Sequence, residues 1–456
     1  MEKTLRPTTA LWVVLPLLVG CAGSYERQTR SSLDARPRPA ARGEDHTDPE
    51  TPSARFDGSI DGYVGYAVEH NPELRAQYAD WEASVDGIDA MRALPDLQLR
   101  YTLFVRHVET RVGPQRHKFG FTQAFPWPSK LTAGAASASL AAQSAERRLD
   151  AGTLAVVRQV ATAYWRIWLV DRTKRVLADQ KKLLDAVEQA ALARLEVGNV
   201  SLADVTQVSL GRSRIIDGLQ GLDEQRRRHE AMLREALSVT SATELPVQPA
   251  EPRVMLPGED EATLREGARS NPRVTSLELM ARSKEEAADR AFAEGLPGFS
   301  LGLDWIETGA AANAGVPDSG KDAVQIHFGV SVPLWRHVYS ANEDRAHSEG
   351  RALLARRDAA EDDAVAAADT ALSEVRDGFR RVRLYRDTLL PQAETVIESV
   401  LGGYQVGETS LASVLIAQRD LLELQLGLLR AQADHAIAWA QLEEIVGRKI
   451  RAGEGA

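Results

Sequence analysis

Few residues in this chain stand at spacings that support chemistry. Its nine histidines include no pair one helical turn apart, so no helix offers two imidazoles to a metal. No strand-to-helix nucleophile elbow and no phosphate-binding glycine loop after a predicted strand is present. His107 and His117 flank the first loop between two predicted strands and could approach each other across it; ordinary surface histidines are the alternative. Glu361-Asp362-Asp363 falls inside a long helical pattern, where a solvated or lining face accounts for it. Five methionines are too few for a thioether metal relay. The composition therefore leads to no enzyme, no bound metal and no cofactor.

One thiol remains. Cys21 is the single cysteine of 456 residues, which excludes intramolecular disulfides. Lys3 and Arg6 precede an apolar stretch from Leu11 to Val19, about half of what a membrane-spanning helix needs. Leu18-Val19-Gly20-Cys21 resembles the bacterial lipobox, which implies cleavage before Cys21 and acylation of its thiol and amine. An ordinary secretory signal with an incidental cysteine is the alternative. Ala22 follows rather than an inner-membrane retention aspartate, which favours the outer membrane. Removal of residues 1–20 takes away Glu2, Lys3 and Arg6 and moves the net charge from −10 to −11, which argues against a nucleic-acid partner. Residues 22–56 are rich in Arg, Pro, Ser, Asp and Glu and lack the apolar side chains for a core, so a flexible tether is expected there.

The elements that follow occur twice. Asn71-Pro72-Glu73-Leu74 returns as Asn271-Pro272-Arg273-Val274, Leu94-Pro95 as Leu296-Pro297, and Pro126-Trp127 as Pro333-Leu334-Trp335. The offset grows only from 200 to 209 residues by the end of the chain, so the length differences sit in loops of a duplicated unit. Leu97, Leu99, Tyr101, Leu103 and Val105 alternate with mostly polar neighbours. Phe119, Phe121 and Phe125 alternate with Lys118, Gly120, Thr122 and Ala124. In the second copy Phe299, Leu301, Leu303 and Trp305 face away from Ser300, Gly302 and Asp304. Val324, Ile326, Phe328, Val330 and Val332 likewise face away from Gln325, His327, Gly329 and Ser331. Each run is long enough for a tilted strand to cross hydrocarbon, with aromatics near its ends. Two half-buried hairpins of a soluble sheet share this period. In lipid, four strands cannot close a barrel, so oligomerisation would be obligatory.

Between the strand pairs lie long helical patterns. From Ser129 to about Glu196 there is no proline, and Leu154, Val157, Ala161, Tyr164 and Trp168 follow the 3-4 spacing of a coiled-coil seam. The pattern turns at Val197-Gly198-Asn199-Val200 and returns through Leu202, Val205 and Val208. The second copy runs from about Tyr339 to Tyr404, turns at Val406-Gly407, and returns through Leu411, Val414 and Ala417. A glycine at a helix end permits the left-handed cap that reverses a chain, which marks Gly198 and Gly407 as hairpin tips. Trp127 and Trp335 sit where strand becomes helix and suit either a membrane surface or a core.

The domain plan is a lipoprotein signal peptide over 1–20 and an acylated Cys21 with its tether over 21–56. Repeat one takes 57–240, with strands about 97–108 and 117–125 and a helical hairpin about 129–238 tipped at 197–200. A linker over 241–258 leads to repeat two over 259–449, with strands about 298–307 and 323–333 and a hairpin about 337–448 tipped at 406–409; 450–456 is a tail.

This chain resembles the TolC family of bacterial outer-membrane efflux proteins over about residues 57–449. The resemblance rests most on two matching turns: Arg194-Leu195-Glu196-Val197-Gly198-Asn199-Val200-Ser201-Leu202-Ala203-Asp204-Val205 and Tyr404-Gln405-Val406-Gly407-Glu408-Thr409-Ser410-Leu411-Ala412-Ser413-Val414. It implies a mainly α protein with a transmembrane β-barrel portion: a homotrimer whose twelve strands form one barrel and whose twelve helices form a periplasmic tunnel. The tips would dock on a periplasmic adaptor protein linked to an inner-membrane efflux pump, with outer-membrane lipid around the barrel. Val197, Gly198, Leu202, Val406, Gly407 and Leu411 are then the tip and adaptor residues, with Leu202 and Leu411 expected to be exposed, although either could instead pack the hairpin. Asp204 and Tyr404 fall on two residues of the family's tip gate. Thr409 and Ser413 replace the arginine and aspartate expected in the second turn, so Glu408 or Arg194 would have to hold the gate, or it is held loosely. Asp204 as a plain helix N-terminal charge is the alternative. The implied function is a passive exit duct. A lipid-anchored, periplasm-spanning scaffold that does not conduct is the competing one.

Overall fold

The computed structural model describes residues 24–39, 56–196, 198, 200–248 and 250–453. Cys21, the expected signal peptide, much of the expected tether, Val197 and Asn199 lie outside the described residues. Ten helices and four strands follow in the order α1 (Ser24–Ala35), α2 (Ile60–His70), α3 (Pro72–Arg92), β1 (Gln98–Thr110), β2 (Gly113–Phe125), α4 (Pro128–Glu196), α5 (Leu202–Leu237), α6 (Glu261–Arg269), α7 (Pro272–Glu294), β3 (Gly298–Thr308), β4 (Ala323–Ser331), α8 (Arg336–Leu384), α9 (Leu390–Val406) and α10 (Leu411–Val446) among the described residues. The pattern α-α-β-β-long α-α occurs twice.

The duplicated asparagines explain how each repeat is tied together. The Asn71 side-chain oxygen accepts the N–H groups of Glu73 (2.9 Å) and Leu74 (3.3 Å), capping α3, while its amide donates to the Ala236 carbonyl at the end of α5 (3.1 Å). Asn271 does the same for α7 and α10, accepting from Arg273 N–H and donating to Ile445 O, each at 2.7 Å. One side chain thus satisfies orphan donors at one helix start and an orphan carbonyl at another helix end, and Pro72 and Pro272 occupy the position where a missing N–H costs nothing.

The chain divides into two compact units. One contains the sheet with the adjoining parts of α3, α4, α7 and α8, taking Asp80–Glu146 and Ser276–Arg356 together with α1. Its sheet is antiparallel in the order β1-β2-β3-β4, so β1 and β4 each have one unpaired edge. Small residues from Ala133 to Ser139, just after β2, let α4 lie close to α7: Ser137 and Ser283 each donate a hydroxyl to the other's carbonyl (2.9 and 2.8 Å), and Ser144 donates to Ser276 O at 2.8 Å.

The expected flexible tether differs from the structure at Ser24–Ala35, which forms α1. Its buried Glu26 pairs with Arg92 at 2.5 Å and Arg30 at 3.2 Å, and Arg30 reaches Asp89 at 2.7 Å. This helix docks through charge and hydrogen bonds rather than an apolar stripe, so a search for core residues passes over it.

The other unit holds Arg38–Ala79, Arg147–Thr275 and Arg357–Ala456. Leu264 and Ala268 of α6 pack with Ala371, Leu372 and Val375 of α8 and with Ala438, Leu442 and Val446 of α10. Between α4 and α5, the ion pairs Asp171–Arg226 (2.8 Å), Lys174–Asp223 (2.5 Å) and Asp185–Arg212 (2.5 Å) run along the hairpin. The second hairpin is not the continuous helix the sequence pattern suggested. A π turn at Tyr385–Leu389 separates α8 from α9, because Pro391 has no N–H to give the carbonyl four residues before it. The Tyr385 ring occupies the space over Gly427 of α10, where a Cβ would come within 2.9 Å of it.

Candidate functional site

Two regions carry surfaces that a packed core does not explain. The first is the sheet. Register aligns Leu99, Phe121, Leu303 and Ile326 in one row across all four strands and Tyr101, Phe119, Trp305 and Val324 in the next. The Phe119 ring lies between Tyr101, tilted against it with centroids 5.2 Å apart, and Trp305, stacked on it at 5.5 Å. All eight of these side chains are exposed, as are Val105, Leu301, Phe328 and Val330. An apolar face this extensive, left open, marks a surface built for a non-aqueous neighbour. Trp127 and Trp335 are exposed too, which favours the membrane-surface reading over the core one.

The opposite face is wet. Lys118 Nζ lies 2.8 Å from Asp304, His327 Nδ1 lies 3.4 Å from the same carboxylate, and His327 Nε2 lies 3.3 Å from the Thr122 hydroxyl. The alternation placed Asp304 and His327 on this face, but their meeting depends on strand register, which the period does not reveal. His117 does not meet His107: it sits on the apolar side, its Nδ1 2.8 Å from the Tyr101 hydroxyl. Gly298-Phe299-Ser300-Leu301-Gly302 has the residue spacing of a nucleophile elbow but runs extended within β3. Among the described residues, no group of three His, Cys, Asp or Glu side chains could hold a metal.

The second region is the pair of helix turns. Gly198 (φ +77°) and Gly407 (φ +87°) both adopt the left-handed conformation expected of tips. At the second turn Gly407 N–H bonds to Tyr404 O and Glu408 N–H to Gly403 O, closing the C-terminal end of α9. Ser201 caps α5 in a reciprocal box, its hydroxyl accepting Asp204 N–H (3.2 Å) while Asp204 accepts the Ser201 hydroxyl (2.6 Å) and N–H (3.1 Å). The Ser201 hydroxyl and N–H hold the Asp204 carboxyl below its ordinary value. Within the chain Asp204 is therefore a capping charge. Ser410 caps α10 through Ser413 N–H at 3.2 Å, a neutral version of the same device.

The two expected tip leucines behave differently. Leu202 is 69% exposed and Val406 72%, whereas Leu411 is only 4% exposed. The expectation that Leu411 is exposed is thus corrected: it packs with Ala191, Val205 and Val208 of the first hairpin, with Leu195, Val200 and Tyr404 at the edge. Matching motifs suggested matching roles, but one tip leans on the other and buries its leucine. Arg194 and Tyr404 come together, the guanidinium lying 4.4 Å from the ring centroid. The Tyr404 hydroxyl is enclosed with no hydrogen-bond partner among the described residues. Glu408 is exposed, and no ion pair joins it to Arg194.

Residues 264–448 match the family model described as outer membrane efflux protein. That stretch, about two fifths of the chain, is similar to the outer-membrane efflux proteins. Over 297 residues the chain is 24% identical to outer membrane efflux protein BepC of Brucella suis biovar 1 (strain 1330), with 64% of this chain and 62% of the relative covered. The chain therefore spans less than two thirds of that curated relative's length. The fold matches the outer membrane protein VceC of Vibrio cholerae with a TM-score of 0.70 at 18% identity, covering 86% of this chain and 96% of VceC. It also matches the outer-membrane channel OprN with a TM-score of 0.71 at 15% identity, covering 90% and 98%.

Proposed function

We propose that this protein is the passive exit duct of a tripartite efflux system, taking cargo from a periplasmic adaptor and an inner-membrane pump to the exterior. The observation that carries the reading is the sheet: one face apolar and open, the other charged and hydroxylated, with an unpaired edge at β1 and another at β4. Unpaired backbone in hydrocarbon costs several kcal/mol per group, so such edges must find strands of their own kind. A homotrimer pairs them all and yields a twelve-stranded barrel wide enough for a lumen. The wet face then lines water and the apolar face meets outer-membrane lipid.

The helical hairpins form the periplasmic tunnel in this reading. Exposed Leu202 and Val406, beside Gly198 and Gly407, contact the adaptor. Arg194 over Tyr404 latches the two tips of one chain, taking over from the charged pair that Thr409 and Ser413 cannot form; Asp204 and Glu408 face the constriction. Acylated Cys21 anchors the chain in the outer membrane. The alternative, a non-conducting scaffold, has no use for a wet face opposite a lipid-facing one. Light scattering of the detergent-purified protein tests the assembly: a mass of three chains supports the duct, and a stable monomer in membrane-like detergent refutes it.

A further inference from the structure

The wet face of the sheet is flatter than its residue types would make it. Side chains on a strand normally stand away from the sheet, yet Asp304, in the middle of an open four-stranded sheet, is 9% exposed. Glycines on the neighbouring strands account for this. Register sets Gly120 directly opposite Asp304, Gly302 opposite His327, and Gly329 opposite Ser300. In each case the polar side chain folds over the bare backbone of its partner. A Cβ on Gly120 would lie 2.5 Å from Asp304 Oδ1, with every other non-neighbouring atom 3.7 Å or more away. A Cβ on Gly302 would overlap the His327 imidazole and also come within 2.9 Å of the Phe121 carbonyl oxygen, whereas one on Gly329 would meet only the Ser300 side chain, with its hydroxyl at 2.4 Å.

Lying flat decides what these groups touch. Asp304 reaches Lys118 at 2.8 Å and comes within 3.4 Å of His327 Nδ1. His327 in turn comes within 3.3 Å of the Thr122 hydroxyl. Arg100, the register partner of Gly120 on β1, is the other charged group beside this cluster. A carboxylate lifted out of the Gly120 socket leaves Lys118 and points a free charge away from the wall. The same lift narrows whatever space the wet face encloses by the length of the side chain.

We propose that Gly120 and Gly329 set the bore of the duct at the level of the sheet by providing sockets in which Asp304 and Ser300 lie flat, and that Gly120 also sets the wall charge by keeping Asp304 paired. This rests on the duct reading, because only a closed barrel turns a flat face into a bore. Cargo and ions are then selected by a smooth wall whose lysine is neutralised in place.

The test is single-channel conductance and the cation-to-anion permeability ratio, read from the reversal potential in a potassium chloride gradient. All variants are compared in one Tyr404→Ala background, which relaxes the tips so that they do not limit current. Gly120→Ala is expected to lower conductance and shift the permeability ratio, because it evicts the Asp304 carboxylate. Asp304→Ala combined with Gly120→Ala is expected to restore the conductance of the background, since nothing remains to evict. Gly329→Ala with Ser300→Ala repeats the test where only a hydroxyl moves, which covers a Gly120 variant that does not assemble. Glycines needed only for sheet geometry would give no rescue by the second substitution. A Gly120 variant that conducts and selects like its background, a Gly329 variant that conducts like its background, or a double variant no better than the single, overturns this inference alone. Inserted protein that passes no current in any form overturns the duct reading and the inference with it.

Discussion

Replacing Leu411 with alanine separates the packing role of one tip from the docking role of the other. Leu411 is 4% exposed and belongs to the apolar cluster that holds Ala191, Val205 and Val208, so its truncation removes buried methyl groups and leaves a small cavity between the hairpins. Deletions of this kind cost about 2–5 kcal/mol; a site at the start of a helix can partly collapse, which places the expected value near 2–3 kcal/mol. Leu202, at 69% exposure, loses only about a third of a full burial on truncation, worth under about 1 kcal/mol. The difference of about 2 kcal/mol corresponds to roughly a 30-fold larger increase in local opening. Native-state hydrogen exchange across the amides of residues 191–208 and 404–417 reads this directly. Leu411→Ala should accelerate exchange at both tips, because its side chain bridges them. Leu202→Ala should leave exchange nearly unchanged while weakening capture by the adaptor. Equal acceleration by the two variants, or none with Leu411→Ala, refutes the asymmetric packing of the tips.

Three further outcomes follow from other contacts. Arg194→Gln and Tyr404→Leu should each weaken the tip by about 1 kcal/mol, with a coupling energy of about 0.5–1 kcal/mol in a double-mutant cycle measured by urea unfolding. Asn271→Ala removes the cap of α7 and the tie to Ile445 together, so it should lower stability by about 2 kcal/mol in thermal unfolding, more than a capping residue alone. His435 is buried, donates to the Met255 carbonyl at 2.9 Å and has no partner on Nδ1, and desolvation pushes its pKa below 6.5. A base with a depressed folded pKa contributes stability that is complete above 6.5 and is lost as pH falls below it. The pH dependence of the urea midpoint should therefore slope downward below 6.5 and flatten in His435→Gln.

Much of this architecture was legible because it is repeated and periodic. The recurring Asn71 and Asn271 turn out to cap α3 and α7, and strand alternation separated the aromatic row from Gly302, Asp304 and His327. What the period could not supply was register, and the meeting of Asp304 with Lys118 and His327 depends on it entirely. The tip residues show the same limit. Gly198 and Gly407 follow from backbone geometry, which a motif encodes, whereas Leu202 and Leu411 occupy equivalent positions in two motifs and differ only through tertiary packing. Helix α1 escaped notice because Glu26, Arg30 and Arg92 hold it by charge, and the composition of that stretch resembles disorder. The π turn was signalled by Pro391 alone, inside a pattern otherwise continuous on both sides.

Conductance of the detergent-purified wild-type protein in a planar bilayer tests the central claim most directly. Discrete small openings that enlarge when Tyr404 or Arg194 is replaced are the predicted result, because the tips then limit the current through a completed barrel. Silence from protein shown to be inserted as a trimer, with the wild type and both tip variants alike, contradicts the duct.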